Sequence, residues 1–384
     1  MVKVMSKLDA PVVIIGGGPA GLVLAIELAH AKVPVILCES QSYPIDKPCG
    51  EGIMPEGVEH LMRLGVINYL DSKNYSKFNG VAFINNKNHQ AKSNFAPYFG
   101  LGIRRTALSQ ALYARASAEK NIKIINSRIT NIYKNNNYML VESPEVSLRT
   151  RLIIGADGLR SSVRKWANLE NKERTVRRYG MRKHFMLQPW SSFVEVYFSA
   201  GFEAYVTPCG PQQVNVAFLW NKREKISDEP ISYPHFLNNF PELQARLEKA
   251  PVISDERATG PLEHNSQRPI SDGVALLGDA CGYLDAITGE GNSIAMSAAR
   301  ALGQTITRAL ESGEPIICQD QLKSYEYAYK NIVKKYYFNT RILLYLASYP
   351  VVINSLISCG SAYPRICSWL IKTMRQPATS LLKQ

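Results

Sequence analysis

Gly16, Gly18 and Gly21 fall in the run Gly16-Gly17-Gly18-Pro19-Ala20-Gly21, a GxGxxG spacing placed directly after the apolar run Val12 to Ile15. Glycines so spaced hold a pyrophosphate. The first permits a tight turn, the second lets the main chain approach the phosphates, and the third lets a helix close on the sheet. Free N–H groups at the start of that helix would face the negative charge. Glu39 would end the next strand, where a carboxylate accepts from the ribose hydroxyls of an adenosine. Two further carboxylates follow apolar runs. Leu152 to Gly155 leads into Asp157-Gly158 and on to Ser161, Val163 and Arg164, a DGxxSxVR arrangement. Val274 to Leu277 leads into Gly278-Asp279 and then to Gly289-Glu290-Gly291-Asn292. A carboxylate at a strand end accepts from a polyol, and a helix starting at Asn292 would face the charge that a reduced flavin develops. The glycine unit alone serves FAD and NAD alike; the two later segments separate them.

The elements that must position these residues can be read from the pattern. Val12 to Ile15, Leu22 to Ala31 and Val35 to Cys38 form a βαβ unit, and helical spacing recurs over Glu56 to Leu64 and Ala107 to Ala118. Lys123 to Ile125 is expected as a strand, followed by three short β segments near Arg128 to Tyr133, Tyr138 to Glu142 and Val146 to Arg149. Leu152 to Ile154 and Val274 to Leu277 are buried strands, and a small-residue helix runs from about Asn292 to Thr307. Alternation from Val194 to Trp220, with turns at Ala200-Gly201 and Pro208 to Pro211, predicts a separate antiparallel sheet; the Asn-rich Asn85 to Asn94 predicts a hairpin or loop.

Composition narrows the class. A chain of 384 residues that is 46% hydrophobic buries a large core, which excludes disorder and a stapled miniprotein. The seven cysteines form no CxxC pair, and the six histidines show no HxxxH or HExxH spacing, so neither a disulfide framework nor a metal is expected. No secretory h-region precedes Val12, and a reducing cytoplasm fits best. The net charge of +13 is uneven: Gln321 to Gln384 holds six Lys, three Arg and one Glu, with eight of the twenty tyrosines. Such an end suits a lipid headgroup layer or an acidic carrier protein rather than a nucleic acid, or else is a solvated face.

With three signatures in this order, the chain resembles the flavoprotein monooxygenase and geranylgeranyl-reductase superfamily, which has the para-hydroxybenzoate hydroxylase fold. The resemblance implies an α/β fold in which a discontinuous Rossmann-like FAD-binding domain (1–75, 100–172 and 260–320) is interleaved with an antiparallel β-sheet substrate domain (76–99 and 173–259). A C-terminal helical lobe (321–384) follows. It implies that Gly16, Gly18, Pro19, Ala20 and Gly21 hold the FAD pyrophosphate and Glu39 the ribose. Asp157 and Gly158 would support the pyrophosphate and transient NAD(P)H, Gly278 and Asp279 the ribityl chain, and Gly289 to Asn292 the pyrimidine edge. Arg105 matches the family arginine that contacts FAD, with its neighbour Arg104 as the alternative. Lys47-Pro48-Cys49-Gly50-Glu51-Gly52 resembles the cysteine-glycine loop of the reductase branch, and Ala204 to Pro208, with Tyr205, the strand covering its flavin ring; a plain turn and a satisfied sheet tyrosine are the alternatives. His184, in the substrate sheet, is a weaker acid/base candidate. No WxWxIP halogenase motif occurs.

The resemblance implies a single-component, NAD(P)H-dependent monooxygenase that activates oxygen as a flavin hydroperoxide and acts on a small organic or lipid-like substrate. The alternative is a flavin-dependent reductase of isoprenoid or lipid double bonds, to which the Cys49 loop and basic tail point; a third reading is a flavin-binding protein without turnover. For the C-terminal lobe, Pro350, Asn354 and Gly360 break the 23 uncharged residues between Arg341 and Arg365 into two helices, near Ile342 to Tyr349 and Val351 to Cys359. These are expected to pack over the substrate lobe. Lys334, Lys335, Tyr336, Tyr337, Arg365, Trp369, Lys372 and Arg375 would offer a peripheral membrane face.

Overall fold

The computed structural model describes residues 8–171, 177–199, 201–221 and 232–365. Trp369, Lys372 and Arg375 lie outside them, as does Ala200 of the expected turn. The strand Val12–Ile15 is buried along its whole length, as a strand covered on both faces requires. It pairs in parallel with Val35–Glu39 on one side and Leu152–Gly155 on the other. Ile122–Asn126 and Val274–Leu276 extend this sheet in parallel, and Ile270–Ser271 closes one edge antiparallel. Helix Pro19–His30 packs against Arg105–Ser117 and Gly291–Leu310.

The register of this sheet assembles the site. Ile15 pairs with Gly155, and Gly155 with Leu276, so three strands end level with one another. The segments that follow them, beginning at Gly16, Ala156 and Leu277, therefore open side by side at the carboxyl edge, where α/β sheets bind ligands.

A second sheet runs in the order Arg257–Thr259, Arg178–Met186, Gln213–Asn221, Phe202–Gly210, Val194–Ser199, Gly80–Ile84, Gln90–Asn94. It is antiparallel except where Val194–Ser199 meets Gly80–Ile84 in parallel. One face packs on helices Tyr233–Leu237 and Pro241–Leu247, with Phe218 stacked between Phe236 and Phe240. On the other, Val196, Tyr205 and Ala217 form one cross-strand row facing the cavity described below.

Two expectations need correction. The strand Phe202–Gly210 continues through Pro208, where a turn is expected from the sequence; a bulge at Pro208 and Gly210 removes the need for the missing N–H. The helix expected near Ile342 is the end of a 29-residue helix, Gln319–Ala347, which bends by 109° into Pro350–Ala362. Its early turns carry charges on the exposed side while Leu322, Tyr325, Tyr329, Val333 and Tyr336 are buried, an amphipathic pattern that an apolar-run reading passes over.

Candidate active site

One cavity of about 660 Å³ runs from the glycine turn to the long helix Gln319–Ala347. At the glycine turn, Gly16 has φ +107°, and a Cβ there would stand 2.4 Å from the carbonyl oxygen of Ala156. At Gly21 a Cβ would meet the Gly16 carbonyl at 2.0 Å, so this glycine lets the helix close on the turn. Gly18 differs: a Cβ would meet nothing within 4 Å, because its backbone borders the cavity. Pro19 occupies the first helical turn and no side chain caps it, leaving the helix start open toward that space beside Ala20. The arrangement is an anion site with room for a pyrophosphate.

Glu39 is buried and does not line this cavity. Its Oε2 accepts from the N–H of Gly17 at 2.7 Å and its Oε1 from that of Gln41 at 2.9 Å. Tyr43, which the sequence reading missed, donates to the Gly17 carbonyl at 2.9 Å and stacks on Tyr113. Both residues fix Gly17, between the first and second glycines of the motif.

Asp157 lines the cavity, but its carboxylate is engaged in the protein: Oδ2 accepts from the N–H of Ser162 and Val163, and Oδ1 from the hydroxyl of Ser161. It caps the short helix Ser162–Trp166 and so shapes the Gly158 turn, at φ +82°. Asp279 is in the opposite condition. No side chain of the described residues donates to its carboxylate, which faces the cavity after Gly278 at φ +61°. Enclosure by protein pushes its pKa up, while the nearby Arg105 and Lys47 pull it down by a smaller amount. A carboxylate so placed has free acceptor capacity toward a polyol.

Of the two arginines, Arg105 lines the cavity and Arg104 instead reaches Gln213 at 3.4 Å. The Nε of Arg105 is buried without a hydrogen-bond partner among the described residues, and its Nη1 reaches Asn292 at 3.5 Å. Gly289, at φ +68°, Glu290, Gly291 and Asn292 line the same wall, where helix Gly291–Leu310 begins with no side-chain cap. A second helix start thus faces the cavity.

Cys49 also lines the cavity. Its sulfur accepts from the N–H of Glu51 at 3.3 Å and lies 3.8 Å from Asn292, and burial pushes the thiol pKa up. Glu51, unremarked in the sequence, is buried at φ +62°. It accepts from the Arg105 N–H at 2.7 Å with one oxygen and lies 2.7 Å from His184 Nε2 with the other. His184 is fully buried, bonded by Nδ1 to Ser254 at 2.8 Å, and does not line the cavity. The structure therefore corrects the acid/base assignment: His184 holds Glu51, and Glu51 holds both Cys49 and Arg105. Tyr205 presents its ring to the cavity while its hydroxyl donates to the Ile287 carbonyl at 3.0 Å.

A buried cluster also missed from sequence secures the wall that carries Gly289. Arg178 donates to Asp285 Oδ2 at 2.9 Å and to Glu203 Oε2 at 2.5 Å, and Tyr336 of the long helix donates to the Asp285 carbonyl at 2.7 Å. Desolvation pushes Asp285 up to about 6 even with Arg178 beside it.

Residues 9–338 match the family described as FAD binding domain. The chain belongs to this FAD-binding family. The cavity of this FAD-binding protein fits the group: an open backbone at Gly18, two uncapped helix starts, the orphaned Nε of Arg105 and the unengaged carboxylate of Asp279 offer donors and acceptors around one space. Among its relatives, digeranylgeranylglycerophospholipid reductase of Methanosarcina acetivorans is 26% identical over 327 residues, covering 79% of this chain and 76% of that one. Solved structures similar in fold include a triple mutant of the flavin-dependent brominase Bmp2, with TM-score 0.77 and 18% identity over 95% of this chain and 99% of that one. The p-nitrophenol 4-monooxygenase PnpA of Pseudomonas putida DLL-E4 gives TM-score 0.74 and 19% identity over 97% and 96%. At such identities these structures establish a shared fold.

Proposed function

We propose that this flavoprotein is an NAD(P)H-dependent monooxygenase whose substrate is an elongated, apolar, lipid-like molecule. The observation that carries the substrate class is the apolar part of the cavity wall, where Val81, Phe83, Val194, Val196 and Leu219 of the second sheet join Leu346 of the long helix. Bound FAD would supply the redox chemistry, taking a hydride from a transient nicotinamide and passing electrons to oxygen. Gly18, Pro19 and Ala20 would hold its pyrophosphate, Asp279 its ribityl hydroxyls, and Gly289 to Asn292 the edge of its ring system. The ring of Tyr205 and the apolar walls would exclude water from the reacting face, as oxygen insertion demands. The fold shared with a phenol monooxygenase over nearly the whole of both chains supports the reading.

A second reading is favoured by Cys49. A thiol kept protonated by burial beside the flavin site is a proton donor, which reduction of a carbon–carbon double bond requires and oxygen insertion does not. The reductase relative supports it. Incubation of purified yellow protein with NADPH or NADH and a panel of alkylphenols and isoprenoid lipids separates the two. Incorporation of label from ¹⁸O₂ into product supports the monooxygenase. A product two mass units heavier than substrate, formed without oxygen, replaces it with the reductase.

A further inference from the structure

The long helix Gln319–Ala347 has two working sides. Inward, Asn339, Ile342, Leu343 and Leu346 line the apolar end of the cavity. Outward, Tyr327, Lys330, Lys334, Phe338, Arg341 and Tyr345 recur at three- and four-residue spacing along one exposed stripe, with Phe338 64% and Tyr345 65% exposed. Beyond the bend the outer side of Pro350–Ala362 carries Val351, 79% exposed, with Val352 and Leu356 at 42% and 49%. Such a contiguous apolar face is unusual on a surface left to water. The charge along this stretch has one sign: no acidic residue follows Glu326 in the sequence, whereas the described residues after it include Lys330, Lys334, Lys335, Arg341 and Arg365.

We propose that the outer side of this bent helix pair lies on an anionic lipid bilayer. Aromatic rings interspersed with lysine and arginine are the side chains that settle at headgroup level, with the uncharged helix beyond the bend laid into the acyl boundary. Among the described residues no single helix is long and apolar enough to cross; this pair is so only when its two helices are taken together, and the 109° bend between them turns the second helix away from the axis of the first, an arrangement suited to lying on the membrane. An acidic protein partner would satisfy the basic residues but not Val351, Val352 and Leu356. The bilayer accounts for both halves of the surface, and it places lipid one helix diameter from the apolar end of the cavity.

Flotation of the full-length, FAD-loaded protein with vesicles of phosphatidylcholine, with and without phosphatidylglycerol, tests this without reference to turnover. The protein should float with the phosphatidylglycerol vesicles and float less at high salt. Lys334→Glu with Arg341→Glu should lower partition by about tenfold or more, at around 1 kcal/mol for each well-placed basic residue. Val352→Ser with Leu356→Ser should lower it at every salt concentration. Flavin absorbance and the unfolding midpoint should be unchanged in both, since all four side chains point to solvent or stand at its edge. The proposal is overturned if neither vesicle carries the protein, if both double variants float like the parent, or if the protein is retained by an acidic protein column but not by vesicles. Retention on vesicles through alkaline carbonate would overturn the peripheral arrangement in favour of a span.

Discussion

The guanidinium of Arg164 donates to the carbonyl oxygen of Ala280 at 2.9 Å. It also donates to the Leu159 carbonyl at 2.8 Å, so one buried arginine ties the Asp157-Gly158 turn to the Gly278-Asp279 turn. Two signatures 122 positions apart in the chain are thereby held at a fixed separation on the wall of one cavity. Arg164→Met removes the donors and leaves buried carbonyls unsatisfied, at about 1–3 kcal/mol for each. We expect roughly 3 kcal/mol off the unfolding free energy and weaker FAD affinity, read by denaturant titration and flavin fluorescence. Unchanged values for both would show that the backbone alone sets the separation.

Gly18 and Gly16 should respond differently to the same substitution. Gly18→Val projects into open cavity, so the chain should fold with its usual far-ultraviolet spectrum but be colourless, with FAD affinity reduced about a hundredfold or more as pyrophosphate access is blocked. Gly16→Val forces a β-branched residue to φ +107° against the Ala156 carbonyl and should not yield soluble folded protein. Stoichiometric FAD in purified Gly18→Val would remove the pyrophosphate assignment.

The two signatures and the glycine turn were legible because each is local: a strand, a turn and a helix start lie within eighteen residues, and spacing alone carries the chemistry. The Arg178–Glu203–Asp285 cluster was not, since its members come from two sheet strands and a loop that meet only after the sheets pack. Glu51 escaped for a related reason. Nothing in Cys49-Gly50-Glu51-Gly52 marks its carboxylate as buried until His184 arrives from another strand. Likewise, alternation showed that Val194–Ser199 is a strand and the resemblance put 76–99 in the same domain, but the parallel pairing with Gly80–Ile84, more than a hundred residues earlier, leaves no trace in either pattern.

Asp285 gives a pH dependence with a definite sign. Its folded value of about 6 lies above the 3.8 of an exposed aspartate, so the folded state binds the proton more tightly. The contribution of this group to stability is greatest below about 4 and is lost as pH rises to about 6, a change on the order of 3 kcal/mol. Against Asp285→Asn, which cannot titrate, the parent should lose relative stability across that window and hold a constant difference above pH 7. A flat difference from pH 4 to 7 in parallel urea titrations would mean that Arg178 keeps Asp285 in the ordinary carboxylate range.

Removing the support beneath the site should act through the groups it holds. His184→Gln leaves the cavity lining intact but takes a buried partner from Glu51 at 2.7 Å, which should cost about 2 kcal/mol of stability. FAD should bind several-fold more weakly because Arg105 and Cys49 lose their fixed neighbour. The readout that distinguishes this from direct catalysis is the pH profile of turnover. A catalytic imidazole would remove or shift a limb of that profile when replaced; a supporting one lowers the rate and leaves the profile in place.

Cys49 and Cys359 offer a comparison within one molecule. Cys49 lines the cavity with its thiol pKa raised by burial, whereas Cys359 is exposed on the outer side of Pro350–Ala362. Because the thiolate is the reactive form, iodoacetamide at neutral pH should label Cys359 quickly and Cys49 slowly, and bound FAD should slow Cys49 further by covering it. Peptide mapping by mass spectrometry after timed labelling reads both rates at once. Cys49→Ser keeps a small polar group beside Asn292, so folding should be unaffected while the flavin absorption bands shift and turnover changes; Cys359→Ser should alter neither. If FAD leaves the Cys49 labelling rate untouched and both serine variants behave alike, the loop from Lys47 to Gly52 is a turn that stands near the cofactor without meeting it.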